Sequence, residues 1–257
     1  MSWRDADPAS PENLETTSEV AYAVFFGSHS LSTGRIMRIP LTHYGIKEMA
    51  AATVLCGAGG VVCLYFFWPG IVVFGIVWLW AMSFFRDPER PCEAGEHQLL
   101  CPADGCIQDI EEVDAPEYLE GRAVRVGIFM SIFNVHVNRS PAACEVEYVQ
   151  PVEGTYHDAR DPRSSTENAH VLTGVKLDDG RKLLVNQIAG AVARQIVCDV
   201  LPGDRLEKGQ RLGMIKFGSR VEVFLPVKDP YEVTVEVGDK VKAGKHVIAE
   251  FTPDTKE

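Results

Sequence analysis

The chain has 257 residues, a formal net charge of −11 and a pI near 5.1. This acidic balance argues against a protein that surrounds nucleic-acid phosphates with Lys and Arg, so no nucleic-acid partner is expected. The 7 cysteines are odd in number and scattered, which predicts free thiols in a reducing compartment. No second Cys/His pair at a zinc-binding spacing accompanies Cys101 and Cys106, so no metal site is expected.

Residues 1–35 are rich in Ser, Glu, Asp, Pro and Thr and show little apolar periodicity. A segment of this composition cannot bury enough apolar surface to offset the entropy lost on ordering. We therefore expect a mobile N-terminal arm.

No charged residue occurs between Met49 and Phe85. A helix needs about 20 residues to cross a bilayer, so this run fits one tilted helix, or two short helices broken at Pro69-Gly70. We favour the second and predict a membrane-associated helical hairpin over 36–90. Basic residues flank both ends, which by the positive-inside tendency places both ends on the cytoplasmic face of the cell membrane. A buried hairpin in a soluble protein is the alternative.

Residues 91–257 form the predicted catalytic domain. Short apolar runs, such as Ala123–Phe129, Glu145–Val149 and Lys182–Asn186, end at Gly, Pro, Asp or Asn, which is typical of β-strands and turns. One short helix is predicted over Ala189–Ile196. The expected fold class is mainly β (α+β), a β-sandwich-rich domain preceded by the α-helical hairpin.

A near repeat occupies the C-terminal part of the chain. The segment Val200–Gly209 is echoed by Val235–Gly244, each with a Gly-Asp turn after a Val/Leu strand. This half-motif resembles that of lipoyl and biotinyl carrier domains, which are sandwiches built from two such halves. A carrier presents a modified lysine at an exposed hairpin between the halves. The linking stretch 216–226 offers a Gly-Ser pair instead.

The pair Gly218-Ser219 is compatible with an ordinary turn, but its chemistry allows more. Gly218 has no Cβ, which leaves its carbonyl carbon open to attack by the Ser219 hydroxyl. Such an attack forms an ester, and elimination then releases Gly218 as a new C-terminus. Hydrolysis leaves a pyruvoyl group at the start of fragment 219–257. A pyruvoyl carbonyl forms a Schiff base with an amine and accepts the electrons released with CO2.

Five segments, in order, resemble the short form of the phosphatidylserine decarboxylase family. They are 85–90, 102–105, 129–141, 167–168 and a C-terminal signature made of 188–197, 203–204 and 213–226, and the resemblance extends from about Ile39 to Phe251. It implies cleavage between Gly218 and Ser219, with a pyruvoyl cofactor derived from Ser219. The implied reaction converts phosphatidylserine into phosphatidylethanolamine at a membrane. The fragments 1–218 and 219–257 would stay together, and a homo-oligomer is compatible with the sequence.

The family's catalytic residues carry over to Asp104, His136 and Ser219. By itself, Asp104 fits a turn and His136 fits a buried strand; the resemblance implies that His136 supports decarboxylation. Longer family members have a second histidine three residues later, which is the base for self-cleavage, and here that position is Arg139. The base is therefore His136 itself or another group, with His157 and His170 as candidates.

Three arginines are candidate ligands for a lipid phosphate, because a guanidinium binds phosphate through paired hydrogen bonds. They are Arg139, Arg194 and Arg220, and ordinary surface arginines are the alternative for each. Other functions also remain open. These are a pyruvoyl-dependent decarboxylase of archaetidylserine or of a free amino acid, and a membrane-tethered lipoyl-like binding module.

Overall fold

Two apolar helices precede a β-rich body in this computed structural model, which describes residues 40–191, 195–216 and 218–251. Helix α1 spans Ile46–Phe66 and helix α2 spans Gly70–Phe84. The predicted arm over 1–35 lies outside the described residues.

The helices pack against each other and are joined by a short turn at Pro69. The Trp78 indole nitrogen donates to Thr53 Oγ1 across the pair at 3.0 Å. Gly59 allows the Phe74 ring to approach, since a Cβ there would lie 2.4 Å from the ring. The stretch His43–Phe66 is long and apolar enough to cross a membrane, and none of its apolar window is buried. The helical pair predicted from the uncharged run is thus present.

The β-rich body is built from antiparallel strands in three sheets. The largest sheet has 8 strands in the order β13-β2-β3-β11-β7-β6-β5-β9. Two smaller sheets have the orders β1-β14-β12 and β4-β10-β8. The strand bounds are β1 Gln98–Leu100, β2 Gly105–Asp114, β3 Arg122–Met130, β4 Val137–Arg139, β5 Cys144–Val152, β6 His170–Leu177, β7 Lys182–Ile188, β8 Ile196–Cys198, β9 Arg205–Leu206, β10 Arg211–Ile215, β11 Ser219–Pro226, β12 Tyr231–Val233, β13 Lys240–Val241 and β14 Val247–Phe251. A single turn of helix, α3 (Ser164–Glu167), lies between β5 and β6.

The large sheet curls around the main hydrophobic core. Alternate residues of β3 and β11, among them Ile128 and Val221, point into this core and are fully buried. Strand β11 lies in the middle of the sheet, between β3 and β7, and each of its residues is buried. The pairing register of such a strand is strongly fixed, because a shift by one residue would move every side chain to the opposite face of the sheet.

The base of the helical pair packs on the three-stranded sheet β4-β10-β8. Phe84, Phe85 and Met214 form a separate apolar cluster at this junction. Gly45 allows the contact, since a Cβ there would lie 2.0 Å from the Phe85 ring. The end of α2 is therefore held against β10.

The two copies of the sequence repeat adopt the same turn. Asp204 accepts a hydrogen bond from the Leu201 amide at 2.8 Å, and Asp239 accepts one from the Glu236 amide at 2.9 Å. The copies lead into β9 and β13, the two edge strands of the large sheet. Similarity of the wider arrangement to a lipoyl-type sandwich stays a prediction.

The mainly β class and the three predicted strands are confirmed, in β3, β5 and β7. The short helix predicted over 189–196 is wrong in its described part. Ala189 follows directly on β7, and Ile196 begins β8, which pairs with β10. Ladder hydrogen bonds to β10 outweigh the weak helical propensity of a short Ala-rich segment.

Candidate active site

The Gly218-Ser219 bond lies where β11 begins. Ser219 is the first residue of the strand, pairs with Met130 of β3 and is 0% exposed. Gly218 is half-buried and has a φ of 61°, a left-handed conformation that glycine adopts without a steric penalty. The chain thus turns sharply at the bond and then enters the central strand.

Gly190 lies against the carbonyl group of this bond. A Cβ at residue 190 would come within 1.7 Å of the Gly218 oxygen and 2.8 Å of its carbonyl carbon. Because β7 pairs antiparallel with β11, Gly190 follows the strand end that faces Gly218. The absence of a side chain at residue 190 leaves the space that this carbonyl occupies. Nothing in the sequence pattern singles out Gly190 for this role.

The Ser219 hydroxyl points into the core. Its Oγ lies 3.4 Å from the Met130 sulfur, to which it donates a weak hydrogen bond. Neither His136 nor Asp104 forms a hydrogen bond with Ser219 in the described part of the chain. Asp104 and His136 are therefore not hydrogen-bonded to Ser219 in the uncut chain.

His136 is fully buried just before β4. Its ring lies 4.4 Å from the ring of Phe84, the last residue of α2. Nδ1 lies 3.0 Å from the Asn134 carbonyl oxygen, which can only accept, so Nδ1 carries the proton. Nε2 then holds the lone pair, and it is buried with no partner among the described residues. A buried nitrogen without a hydrogen-bond partner reduces the stability of the folded protein, so Nε2 is a candidate functional atom.

Burial lowers the pKa of His136 to about 4, while the nearby charge of Asp104 opposes this shift. His136 is therefore uncharged at neutral pH, with Nε2 able to accept a proton. In the unfolded chain its pKa is near 6.5, so the unfolded state binds a proton first as the pH falls. The stabilisation is complete above pH 6.5 and is lost progressively as the pH falls from about 6.5 to about 4.

We expect acidification over this range to remove about 3 kcal/mol of stability through His136. The measurement is thermal unfolding in detergent at pH 7, 5.5 and 4.5. A His136→Gln variant, which does not titrate, should lose less stability over the same range. Both proteins should carry Ser219→Ala, so that the chain stays whole. Parallel losses in the two proteins would contradict the assigned pKa.

Asp104 is held by groups other than a histidine. Its two carboxylate oxygens accept hydrogen bonds from Arg90 at 2.5 and 2.8 Å, and one of them also accepts from the Ala243 amide at 2.8 Å. Arg90 donates in addition to the Ala243 carbonyl. Breaking such a buried pair by removing one partner typically costs about 3–5 kcal/mol, so Asp104 also contributes to the fold.

Two of the three arginines predicted to bind phosphate are buried and form ion pairs. Arg139 is buried and donates to the Gly209 and Pro88 carbonyls, with Asp87 as its ion-pair partner. Arg220 is 3% exposed and pairs with Asp109 and Glu222. Both guanidinium groups are paired with carboxylates inside the protein, and their contact with a lipid phosphate stays a prediction. Arg194 lies outside the described residues.

Of the two further histidines, His157 lies on the segment between β5 and β6, and His170 begins β6. His157 Nε2 contacts a Glu167 carboxylate oxygen at 2.8 Å, and His170 Nδ1 contacts the Asn168 carbonyl at 2.7 Å. Neither ring contacts Ser219 through a hydrogen bond in the described part of the chain.

A cavity of about 440 Å³ opens beside Asp104. Its lining includes Phe129 and Ser131 and two exposed lysines, Lys240 and Lys242. Ser131 and Phe129 flank Met130, the residue paired with Ser219. The cavity therefore lies close to the strand end at which β11 begins, and it carries positive charge.

Comparison with known proteins gives a consistent result. The family model described as phosphatidylserine decarboxylase matches residues 78–249. A phosphatidylserine decarboxylase proenzyme of Symbiobacterium thermophilum is 44% identical over 189 residues, which cover 73% of this chain and 86% of the relative. A phosphatidylserine decarboxylase proenzyme of Carboxydothermus hydrogenoformans is 43% identical over 214 residues, which cover 82% of this chain and 98% of the relative. A phosphatidylserine decarboxylase proenzyme of Nitrosomonas europaea is 42% identical over 184 residues, which cover 72% of this chain and 84% of the relative.

Proposed function

The chain belongs to the phosphatidylserine decarboxylase family, and on that premise we propose that it removes CO2 from phosphatidylserine to give phosphatidylethanolamine. The observation that carries this proposal is the family match over 78–249, which includes the Gly218-Ser219 bond at the start of the central strand. The relatives are named proenzymes, a name that fits a chain which must be cut before it acts.

We propose that the chain cuts itself between Gly218 and Ser219. The Ser219 oxygen bonds to the Gly218 carbonyl carbon while the bond from that carbon to the Ser219 nitrogen breaks, which gives an ester. Loss of a proton from Cα expels the Gly218 carboxylate and leaves a double bond between Cα and Cβ. Addition of water then releases ammonia and leaves a ketone at residue 219. The left-handed turn at Gly218 and the space beside Gly190 support this step, because they leave the carbonyl carbon accessible.

The surroundings of Ser219 fit a pyruvoyl group. Such a group supplies a ketone that condenses with the substrate amine and accepts the electron pair released with CO2. Ser219 is enclosed, which excludes water from the reaction centre. His136 offers an unprotonated Nε2 that has no hydrogen-bond partner among the described residues, so it is our candidate for moving a proton at this centre. We propose that Asp104, held in place by its ion pair with Arg90, sets the electrostatic potential at the reaction centre.

We further propose that the hairpin α1–α2 lies in the bilayer and holds the body at the cytoplasmic face of the cell membrane. The lipid substrate is insoluble in water, so an enzyme that rests on its interface shortens the path to the head group. Phe84 supports this arrangement, because it ends α2 and also contacts His136. The site would then lie at the level where the hairpin leaves the membrane. Lys240 and Lys242 replace the buried arginines as our candidates for contact with the lipid phosphate.

The proposal is tested by measuring CO2 release from three substrates: vesicles of phosphatidylserine, vesicles of its ether-linked archaeal analogue, and free serine. Full-length protein in detergent is compared with a Ser219→Ala blank. We expect release from phosphatidylserine and none from free serine. Release from free serine alone would overturn the lipid assignment, whereas release from both lipids would show that the head group alone is recognised.

A further inference from the structure

We infer that the turn formed by residues 131–134 is a second membrane contact, in which the Phe133 side chain enters the bilayer beside the hairpin. This contact rests on the proposed function, which places the hairpin in the bilayer, and it is made by the β-rich body itself. Among the described residues outside the hairpin, Phe133 is the only Phe, Tyr or Trp that is more than half exposed, at 68%. A single exposed apolar residue is ordinary on a protein surface, so the surroundings of Phe133 decide its role.

A single guanidinium group links this turn to the end of the hairpin. Arg86 donates through Nη1 to the Ser83 carbonyl in the last turn of α2, at 2.8 Å, and through Nη2 to the Phe133 carbonyl, at 2.5 Å. Ser83 is still exposed, whereas the next residue, Phe84, already packs against Met214 of β10. No spacer therefore separates the apolar helix from the body. When α2 lies in the bilayer up to this point, Phe133 lies at the membrane surface.

Hydrogen bonds within the protein satisfy the backbone at the tip of the turn. The Asn134 amide donates to the Ser131 carbonyl at 2.9 Å, and the Phe133 amide donates to Ser131 Oγ at 3.3 Å. In return, the Ser131 amide donates to Asn134 Oδ1 at 2.8 Å. With Arg86 on its carbonyl, Phe133 has both of its backbone groups paired without water. An unpaired backbone group is costly in a lipid environment, so this pairing suits a residue that enters the bilayer.

A bilayer is the partner that fits this position. The exposed apolar surface of α1 and α2 includes side chains from Val54 to Trp80, and it ends beside the turn. One bilayer therefore covers both the hairpin and Phe133. Arg86 also fits this partner, because long cationic side chains at the ends of membrane helices typically extend to the phosphate level.

The turn also forms part of the cavity beside Asp104. Ser131 and Asn134 line this cavity, and the Asn134 carbonyl accepts the hydrogen bond from His136 Nδ1 at 3.0 Å. A turn held in the bilayer by Phe133 therefore brings the cavity to the level of the lipid head groups. A serine head group can then enter the cavity while its acyl chains remain in the bilayer.

Photocrosslinking tests this contact directly. The photoreactive analogue p-benzoylphenylalanine replaces Phe133 in the full-length chain, which also carries Ser219→Ala so that it stays whole. The protein is irradiated in vesicles of phosphatidylethanolamine and phosphatidylglycerol. We expect mass spectrometry to find one phospholipid attached to the peptide that contains residue 133. The same analogue at Val227 is the matched control and should give no lipid adduct. Val227 is 49% exposed and follows β11 at the end opposite to Ser219, roughly 25 Å away at about 3.3 Å per residue.

Activity provides a second readout, in chains that keep Ser219. Phe133→Ser should lower CO2 release from phosphatidylserine vesicles at least about 10-fold, the size expected when one aromatic side chain no longer enters an apolar environment. Phe133→Leu keeps an apolar side chain and should restore most of this rate, and Val227→Ser should match the wild type. Phenylhydrazine is water-soluble and reacts with the residue-219 ketone without lipid. The rate of hydrazone formation should therefore be the same in Phe133→Ser and in the wild type.

Three results would overturn the membrane contact of Phe133. They are adducts with protein alone at residue 133, equal lipid adducts at residues 133 and 227, and a hydrazone rate that falls together with CO2 release, which would indicate a purely structural role. Failure of the proposed function gives different results. Protein that does not float with the vesicles in a density gradient contradicts the membrane position of the hairpin, and the contact of the turn fails with it. A wild type that floats but stays uncut contradicts the pyruvoyl proposal, whereas the lipid adduct of the Ser219→Ala chain would still support the contact.

Discussion

A Ser219→Ala protein is expected to remain one chain of 257 residues, whereas the wild type separates into fragments 1–218 and 219–257 under denaturing conditions. The substitution removes the oxygen that attacks the Gly218 carbonyl, so the ester cannot form. Little else should change, since the hydroxyl makes only a weak contact with the Met130 sulfur. Denaturing electrophoresis and intact mass give the result directly, and CO2 release from phosphatidylserine should disappear with the cut.

Ser140→Ala provides the matched control. Ser140 is fully buried like Ser219, and its hydroxyl donates to the Ala142 carbonyl at 2.7 Å. The variant loses a buried hydroxyl and should still be cut. A Ser219→Ala chain that separates at the same bond would show that the oxygen of residue 219 is not the nucleophile, and the pyruvoyl proposal would then fail.

The second large effect is expected from Gly190→Ala. The added Cβ would lie 1.7 Å from the Gly218 oxygen, which is a backbone atom, so either the scissile bond or the backbone at residue 190 has to move. A misplacement of about 1 Å at a reacting centre can cost about 100-fold in rate. We therefore expect cleavage at least about 100-fold slower than in the wild type, followed by mass spectrometry over time after synthesis.

Hydroxylamine identifies the step that Gly190→Ala blocks, because it cuts esters but not peptide bonds. We expect no cut on its addition, since the displaced carbonyl should not form the ester. Gly95→Ala is the control: a Cβ at residue 95 would make only ordinary contacts, at 3.7 Å and beyond, and cleavage should proceed. Wild-type cleavage in Gly190→Ala would show that the carbonyl is free to move and that Gly190 does not position it.

Local features of the fold could be predicted because they depend on residues that are close together in the sequence. The helical pair follows from an uncharged run interrupted at Pro69, and strands such as β3 follow from apolar residues between turn residues. The repeat predicted two similar turns, and Asp204 and Asp239 make the same contact in each. Periodicity alone could not give the order of strands, which places the two copies at opposite edges of one sheet.

The candidate site was predictable in part. Gly218 and Ser219 were identified by the chemistry of the dipeptide together with the resemblance to the family, whereas the ion pairs of the arginines depend on residues far away in sequence. Arg220 pairs with Asp109 across the sheet, and no local pattern indicates that. The contact of Gly190 with Gly218 likewise exists only once the strands are paired.

The position of β11 determines how the protein can fold before and after it is cut. Fragment 219–257 begins with a strand hydrogen-bonded to β3 on one side and β7 on the other, and it continues through β12, β13 and β14 in two sheets. A cut before Ser219 thus leaves the short fragment interlocked with the long one, without a covalent link between them. Chain connectivity is available to guide assembly only before the cut. Maturation would be a one-way step: the protein folds once as a single chain, and a mature molecule that unfolds has to find its other half by diffusion.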